Sequence, residues 1–365
     1  MPERVWGFNS PLAHPGSATV FHIASVRPSC DTGRVKRLII ASAVFAVAAT
    51  TMAIGPASAA PVPTKELNLY AGTKPATAAM GTVTEHTLRT ADGLTRTYRL
   101  FVPVGLASKA SLLVALHGGL GSGLQFEINS GFDGLATSNG FIVAYPDGVA
   151  RFADGSGGVR TWNGGKCCGP AVTRNVDDVA FLRAVVTDVA RSQSIDRSRV
   201  YAVGHSNGGI MALRLACEAS DVFAAVGAQS ASLELQTCAP QRPVSAMQIH
   251  GTADTNVPIA GGKGSGVANF SFSPPRRAAQ TLAKVDGCRA RPAQVRDATN
   301  RDLVLSRWRS CPPRVAVEFL AVEGAGHAWM GHPAQSPWAD DYMGPPYMRL
   351  DSSRALWAFV SARSR

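Results

Sequence analysis

Two kinds of hydrophobic pattern alternate along the chain from about residue 95 to its end. The first is a short, nearly continuous apolar run: residues 95–103 (TRTYRLFVP), 111–117 (SLLVALH), 141–148 (FIVAYPDG), 200–203 (VYAV), 223–230 (FAAVGAQS), 244–251 (VSAMQIHG) and 314–322 (RVAVEFLAV). Such runs predict strands buried on both faces. The second recurs at helical spacing. Within 177–193, Val179, Phe181, Leu182, Val185, Val186 and Val189 mark one face, and Asp177 or Asp178 can cap its start. Residues 132–140, 275–287 and 352–363 read as further helices, the first ending at Gly140. Strands alternating with helices predict an α/β fold with a mostly parallel central sheet and helices on both faces. No repeat interrupts this order, and residues 81–365 read as one domain.

The segment before it is built differently. Residues 35–59 (VKRLIIASAVFAVAATTMAIGPASA) have a basic start, an apolar stretch and a small-residue end, the layout of a cleaved secretory signal. Ala57-Ser58-Ala59 fits the cleavage site and leaves Ala60 as the first mature residue. The apolar core is short for a membrane span and carries Thr50 and Thr51. Residues 1–34 lack this design and read as an over-extended start. Residues 60–80, rich in Ala, Pro and Thr, predict a flexible lead-in.

Composition adds less. The 365 residues are 45% hydrophobic and 17% charged, with a formal net charge of +11. Removing residues 1–59, with five basic and two acidic residues, leaves about +8. No basic run accompanies that charge, so it predicts a solvated surface and no nucleic-acid partner. Beyond Cys30 in the leader, six cysteines remain, and an even count in an exported chain predicts disulfides. Proximity along the chain favours Cys217–Cys238 and Cys288–Cys311, which leaves Cys167 and Cys168 to join each other. No cysteine spacing typical of a metal site is present, and neither a metal nor a cofactor is expected.

One boundary concentrates the chemistry. After Val200–Val203 the chain reads Gly204-His205-Ser206-Asn207-Gly208, then resumes helical spacing at Ile210, Met211, Leu213, Leu215 and Ala216. A strand, a cramped turn and a helix would expose Ser206 at the apex. A serine hydroxyl needs a base, and that base needs an orienting acid. In the order serine, acid, histidine, the base candidates are His250, His327 and His332. His250 precedes the acid and fits a structural role. His327 stands on a Gly-rich loop after the last strand of this pattern, with His332 as the runner-up. Asp254 ends a strand, whereas Asp221, Asp286 and Asp297 read as caps or solvated charges. The Asn207 N–H and the turn 116–123 (LHGGLGSG), through Gly119, are candidate oxyanion donors. Trp162 in 161–170 (TWNGGKCCGP), His205 and Trp329 are candidate substrate contacts.

These segments, LHGG, YPDG, WNGGKCCG, VDDVAFLRAVV, VYAVGHSNGGIMALRLAC, PVSAMQIHGTADTNVP and GAGHAW, occur in one order over about residues 85–360. The chain resembles the secreted polyhydroxybutyrate depolymerase / feruloyl esterase family. The resemblance implies an α/β-hydrolase fold, a triad at Ser206, Asp254 and His327, and an oxyanion turn at His117-Gly118-Gly119. Two positions depart from it: Gly119-Leu120-Gly121 replaces a common Cys-Gly-Gly, and Trp329-Met330-Gly331 a common Trp-Pro-Gly. The expectation is a secreted, monomeric serine esterase acting on 3-hydroxybutyrate oligomers. Feruloyl or acetyl xylan esters are the alternative substrates. An acyltransferase and a non-catalytic binding module on the same scaffold are the competing classes, and a peptidase is disfavoured.

Overall fold

The computed structural model describes residues 61–152, 159–266, 268–289, 291–333 and 341–365. The expected leader, its cleavage point and Cys30 lie outside these residues. The order of elements begins with strands β1 (Gly81–Arg89), β2 (Thr95–Pro103) and β3 (Ala110–Leu116), then helices α1 (Gly123–Ser130) and α2 (Phe132–Asn139). Strand β4 (Phe141–Pro146), the short β5 (Val149–Ala150) and β6 (Arg160–Thr161), and helices α3 (Gly169–Thr173) and α4 (Asp178–Ser192) follow. Next come β7 (Ile195–His205), α5 (Asn207–Glu218), β8 (Ala225–Gln229) and β9 (Ser245–Gly251). The short β10 (Gly262–Lys263) and β11 (Ser271–Phe272) lead to α6 (Pro275–Val285). Strands β12 (Ala293–Arg296), β13 (Leu303–Arg307) and β14 (Val317–Val322) precede the closing helix α7 (Ser352–Ser361).

Ten strands form one sheet in the order β1-β2-β4-β3-β7-β8-β9-β14-β13-β12. From β4 to β14 neighbouring strands run parallel, and antiparallel strands extend both edges. The continuous apolar runs follow from burial on two faces. In β3, Leu112, Val114 and Leu116 pack in one core with Phe181, Leu182 and Met211 of α4 and α5. Leu113 and Ala115 point the other way, into a core with Phe132, Leu135 and Leu356 of α2 and α7.

Two features depart from the sequence expectation, and the cysteine pairing follows it. The lead-in is anchored: Leu67 N–H donates to Asp297 Oδ2 at 2.6 Å, and the Tyr70 hydroxyl accepts from Asp351 N–H at 3.0 Å. Leu67, Leu69 and Tyr70 also pack against the core, so sparse apolar residues in an Ala/Pro/Thr-rich stretch suffice to dock it. Strands β1 and β12, at the two edges, and β13 beside β12 lie outside the sequence expectation, because strands at or near a sheet edge with exposed positions lack long apolar runs. Cysteines pair as Cys167–Cys168, Cys217–Cys238 and Cys288–Cys311. Among the described residues, no helix is long and apolar enough to cross a membrane.

Candidate active site

Strand β7 delivers Ser206 to the C-terminal edge of the sheet, and α5 leaves from it. Ser206 adopts φ 52° and ψ −120°, a conformation that side chains seldom take. Two glycines make the turn sterically possible. A Cβ on Gly204 would lie 2.2 Å from the Gly208 carbonyl oxygen, and one on Gly208 would lie 2.3 Å from that of Leu116. Only the absence of both side chains lets strand, turn and helix approach this closely.

Two loops bring the partners. Asp254 follows β9 and His327 follows β14. His327 Nε2 lies 2.9 Å from Ser206 Oγ, while Nδ1 lies 2.9 and 2.8 Å from the two Asp254 oxygens. Asp254 and His327 are only 3% and 5% exposed, so these contacts form largely away from water. Burial alone would raise the Asp254 carboxyl. The His327 ring and its hydrogen bond, with His250 and the Val257 N–H, hold it below the usual carboxylate range. The His327 loop is fixed in turn: its N–H donates to the Met343 carbonyl at 3.0 Å, and its carbonyl accepts from His205 Nε2 at 2.7 Å.

The remaining histidines take other places. Burial, and next the His327 charge, push His205 down to about 3, so at neutral pH it is an uncharged donor to the His327 carbonyl. His250 is buried, contacts the Val257 carbonyl at 2.8 Å through Nε2, and lies 3.6 Å from Asp254. His332 stands 3.5 Å from Asp351 and lines the cleft.

A cleft of about 400 Å³ opens over Ser206. Gly119 and Asn207 both line it, as do His205 and Trp329. Asn207 is the first residue of α5, so its N–H has no intrahelical acceptor. Trp329 presents an edge to Phe126, with ring centroids 5.1 Å apart, and anchors its indole N–H on Ser353 Oγ at 2.9 Å. Trp162 is a correction to the sequence reading. Its side chain is fully buried, away from the cleft lining, and donates its indole N–H to the His117 carbonyl at 3.0 Å. An aromatic beside the site was read as a contact because sequence does not report which side of the loop faces substrate.

Two cleft residues escaped the sequence reading. Gln125 and Asn129 stand one turn apart on α1 and both line the cleft. Their signal was the i, i+4 spacing within Gly123–Ser130, a segment too short and too polar to register as a helix.

A family model described as Esterase PHB depolymerase matches residues 96–264. The chain is 32% identical over 264 residues to the putative esterase NocK of Nocardia uniformis subsp. tsuyamanensis, covering 66% of this chain and 72% of that protein. The chain belongs to this family of ester hydrolases. Feruloyl esterase B of Piromyces equi is 31% identical over 226 residues, an alignment that covers 60% of this chain and only 40% of that protein. Among solved structures, an acetyl xylan esterase from Aspergillus awamori matches with a TM-score of 0.48 and 17% identity, covering 72% of this chain and 98% of the other.

Proposed function

We propose that this family member is a secreted serine esterase with Ser206 as nucleophile, His327 as base and Asp254 as orienting acid. The observation that carries the reading is the contact of His327 Nε2 with Ser206 Oγ at 2.9 Å while Nδ1 faces Asp254. In this mechanism His327 takes the Ser206 proton as Oγ attacks the ester carbonyl carbon. The oxyanion of the tetrahedral intermediate accepts hydrogen bonds from the Gly119 and Asn207 N–H groups. Its collapse expels the alcohol, which takes the proton from His327. A water then repeats the sequence on the acyl-enzyme and releases the acid. The Asp254 carboxylate stabilises the imidazolium formed in each half-reaction.

The proposed substrates are soluble or amorphous 3-hydroxybutyrate oligomers, ahead of feruloyl and acetyl sugar esters. Support comes from the family model, and from a cleft whose walls include Phe126, Ile210, Val257 and Phe272, suited to an apolar acyl chain. Secretion is supported by the signal-like residues 35–59 and by three disulfides. The test is a fluorophosphonate label mapped by peptide sequencing, together with kcat/KM for a hydroxybutyrate trimer, methyl ferulate and acetylated xylan. Labelling at Ser206 and highest kcat/KM on the trimer are expected. An unlabelled Ser206 would refute the mechanism, and a higher kcat/KM on ferulate or xylan would reassign the substrate. A secreted protein beginning at Ala60 is the expected result of N-terminal sequencing.

A further inference from the structure

The buried Trp162–Asn163 strip touches both backbone segments proposed to bind the oxyanion. On one side its main chain pairs with a side chain of the elbow: Trp162 N–H donates to Asn207 Oδ1 at 2.7 Å, and Asn207 Nδ2 donates back to the Trp162 carbonyl at 3.0 Å. An asparagine side chain thus imitates a strand partner and fixes the residue that follows Ser206. The Trp162 indole N–H holds the His117 carbonyl at 3.0 Å, one peptide before Gly118.

The strip is itself tied down from behind. Asn163 N–H donates to Asp178 Oδ2 at 2.8 Å, and Arg96 Nη2 donates to Asp178 Oδ1 at 2.7 Å. Asp178 is fully buried and Arg96 is 5% exposed. The Arg96 guanidinium also stacks on Phe181, 4.0 Å from the ring centre. A helix cap needs no buried counter-ion, and Asp177 already fills the cap of α4 by accepting from Ala180 N–H at 2.9 Å. A buried carboxylate is costly unless it is paired and hydrogen-bonded, and here one oxygen takes the Arg96 ion pair while the other accepts from the strip.

We infer that Asp178, Trp162 and the Asn207 side chain are positioning residues, which set the distance between the Gly119 and Asn207 N–H groups for the transition state. The inference rests on the serine-esterase reading. Oxyanion donors act on charge that develops only in the transition state, so misplacing them lowers kcat and leaves ground-state binding in place. A purely structural role would instead lower the melting temperature and leave the kinetics of the folded fraction unchanged.

The experiment compares wild type with Asn207→Ala, Asp178→Asn and Trp162→Phe on 4-nitrophenyl butyrate. It measures kcat, KM, the inhibition constant of an alkyl boronic acid, and active-site concentration by fluorophosphonate titration. For Asn207→Ala and Asp178→Asn we expect kcat per titrated site to fall roughly 10–100-fold, KM to change less than about 3-fold, and boronate affinity to fall in parallel with kcat. Trp162→Phe keeps an aromatic ring of smaller size and loses one hydrogen bond, and it should show the same signature at roughly 3–10-fold per titrated site. Should Asp178→Asn fail to fold, the other two variants decide. Wild-type kcat per titrated site in the variants, or boronate affinity that stays constant while kcat falls, would overturn the positioning role alone. A wild type that neither turns over nor labels at Ser206 would overturn the esterase reading and this inference with it.

Discussion

The two walls of the cleft are built on opposite principles. One comprises the elbow, the turn after β3 and the buried strip behind them. Its charge sits in a buried ion pair, its loop backbone is tied by the Asn207 side chain, and glycines allow the tightest approaches. The other wall carries Gln125 and Asn129 of α1, with the His332 ring against Gly131 at the end of that helix. There the Asn129 Oδ1 atom is buried and has no hydrogen-bond partner among the described residues, and His332 Nε2 faces the Asp351 carboxylate at 3.5 Å. The first wall is held by buried hydrogen bonds that link Asn207 to Trp162 and Asn163 to Asp178, and a rearrangement would break them. The second has amide groups that can turn without breaking an internal bond. Under the proposed mechanism, reaction geometry belongs to the first, and recognition of differing ester groups suits the second.

The comparison breaks most sharply at the reacting atoms. Ser206→Ala should leave a folded protein whose kcat is lower by roughly 10⁵–10⁶-fold, and His327→Ala should match it, since members of such a unit act together. His332→Ala on the opposite wall should change kcat only a few-fold. Steady-state assays of the three variants check this, and the reverse ranking of the two histidines would move the base to His332.

Backbone packing gives the next effect. Gly208→Ala places a Cβ against the Leu116 and His117 carbonyl oxygens, at 2.3 and 2.4 Å. Because both atoms are main chain, the elbow must move or unfold, and a stability loss above about 4 kcal/mol is expected. Gly140→Ala is the control: nothing lies within 4 Å of its added Cβ, and its positive φ alone should cost about 1–2 kcal/mol. Urea unfolding of both variants separates crowding from conformational strain.

His117 provides a pH test of the first wall. Burial pushes it down to about 4, against smaller upward effects from the Gly118 carbonyl and Asp147. Gly148 N–H donates to Nε2 at 2.9 Å, so Nδ1 carries the proton and faces the Gly118 carbonyl at 2.7 Å. The unfolded chain takes up a proton near the ordinary value of about 6.5, whereas the folded protein does not until about 4. Its contribution is therefore complete above pH 6.5 and is lost as pH falls toward 4. A His117→Gln variant lacks this titration. Between pH 7.5 and 4.5 the wild type should lose roughly 2–3 kcal/mol more stability than the variant. Equal losses would mean that His117 is not held neutral.

How far the sequence could be read follows the same division. The parallel strands, α4 and the elbow were legible because both-face burial and one-face helical burial leave unmistakable periods. The Ser206, Asp254 and His327 positions were legible because strand ends and Gly-rich loops bracket them. Trp162 was misread, since its neighbours Gly164, Gly165 and the cysteine pair suggest a rim, and only the Asn207 and His117 contacts reveal a brace. Asp178 was legible as a helix start, but its partner Arg96 lies 82 positions away, beyond any local pattern. The second wall left the weakest trace, because polar residues on a two-turn helix look like loop.

The smallest expected effect lies on that second wall and concerns selectivity. Asn129 and Gln125 line the cleft, and Asn129 Oδ1 has no hydrogen-bond partner among the described residues, so a substrate hydroxyl could bind the Asn129 amide without displacing an internal partner. Replacing Asn129 by Leu keeps the number of side-chain heavy atoms and removes both donor and acceptor. For an ethyl 3-hydroxybutyrate substrate, kcat/KM should fall about 5–10-fold, the worth of one neutral hydrogen bond. For ethyl butyrate, which lacks the hydroxyl, it should stay within about 2-fold or rise, because an apolar side chain no longer needs hydration. Gln125→Leu should act in the same direction and less strongly, as its Oε1 already lies over Gly121, 2.6 Å from where a Cβ would stand. The informative quantity is the ratio between the two esters. Equal losses on both would mean that Asn129 shapes the wall, whereas a loss confined to the hydroxy ester would mean that it reads the substrate.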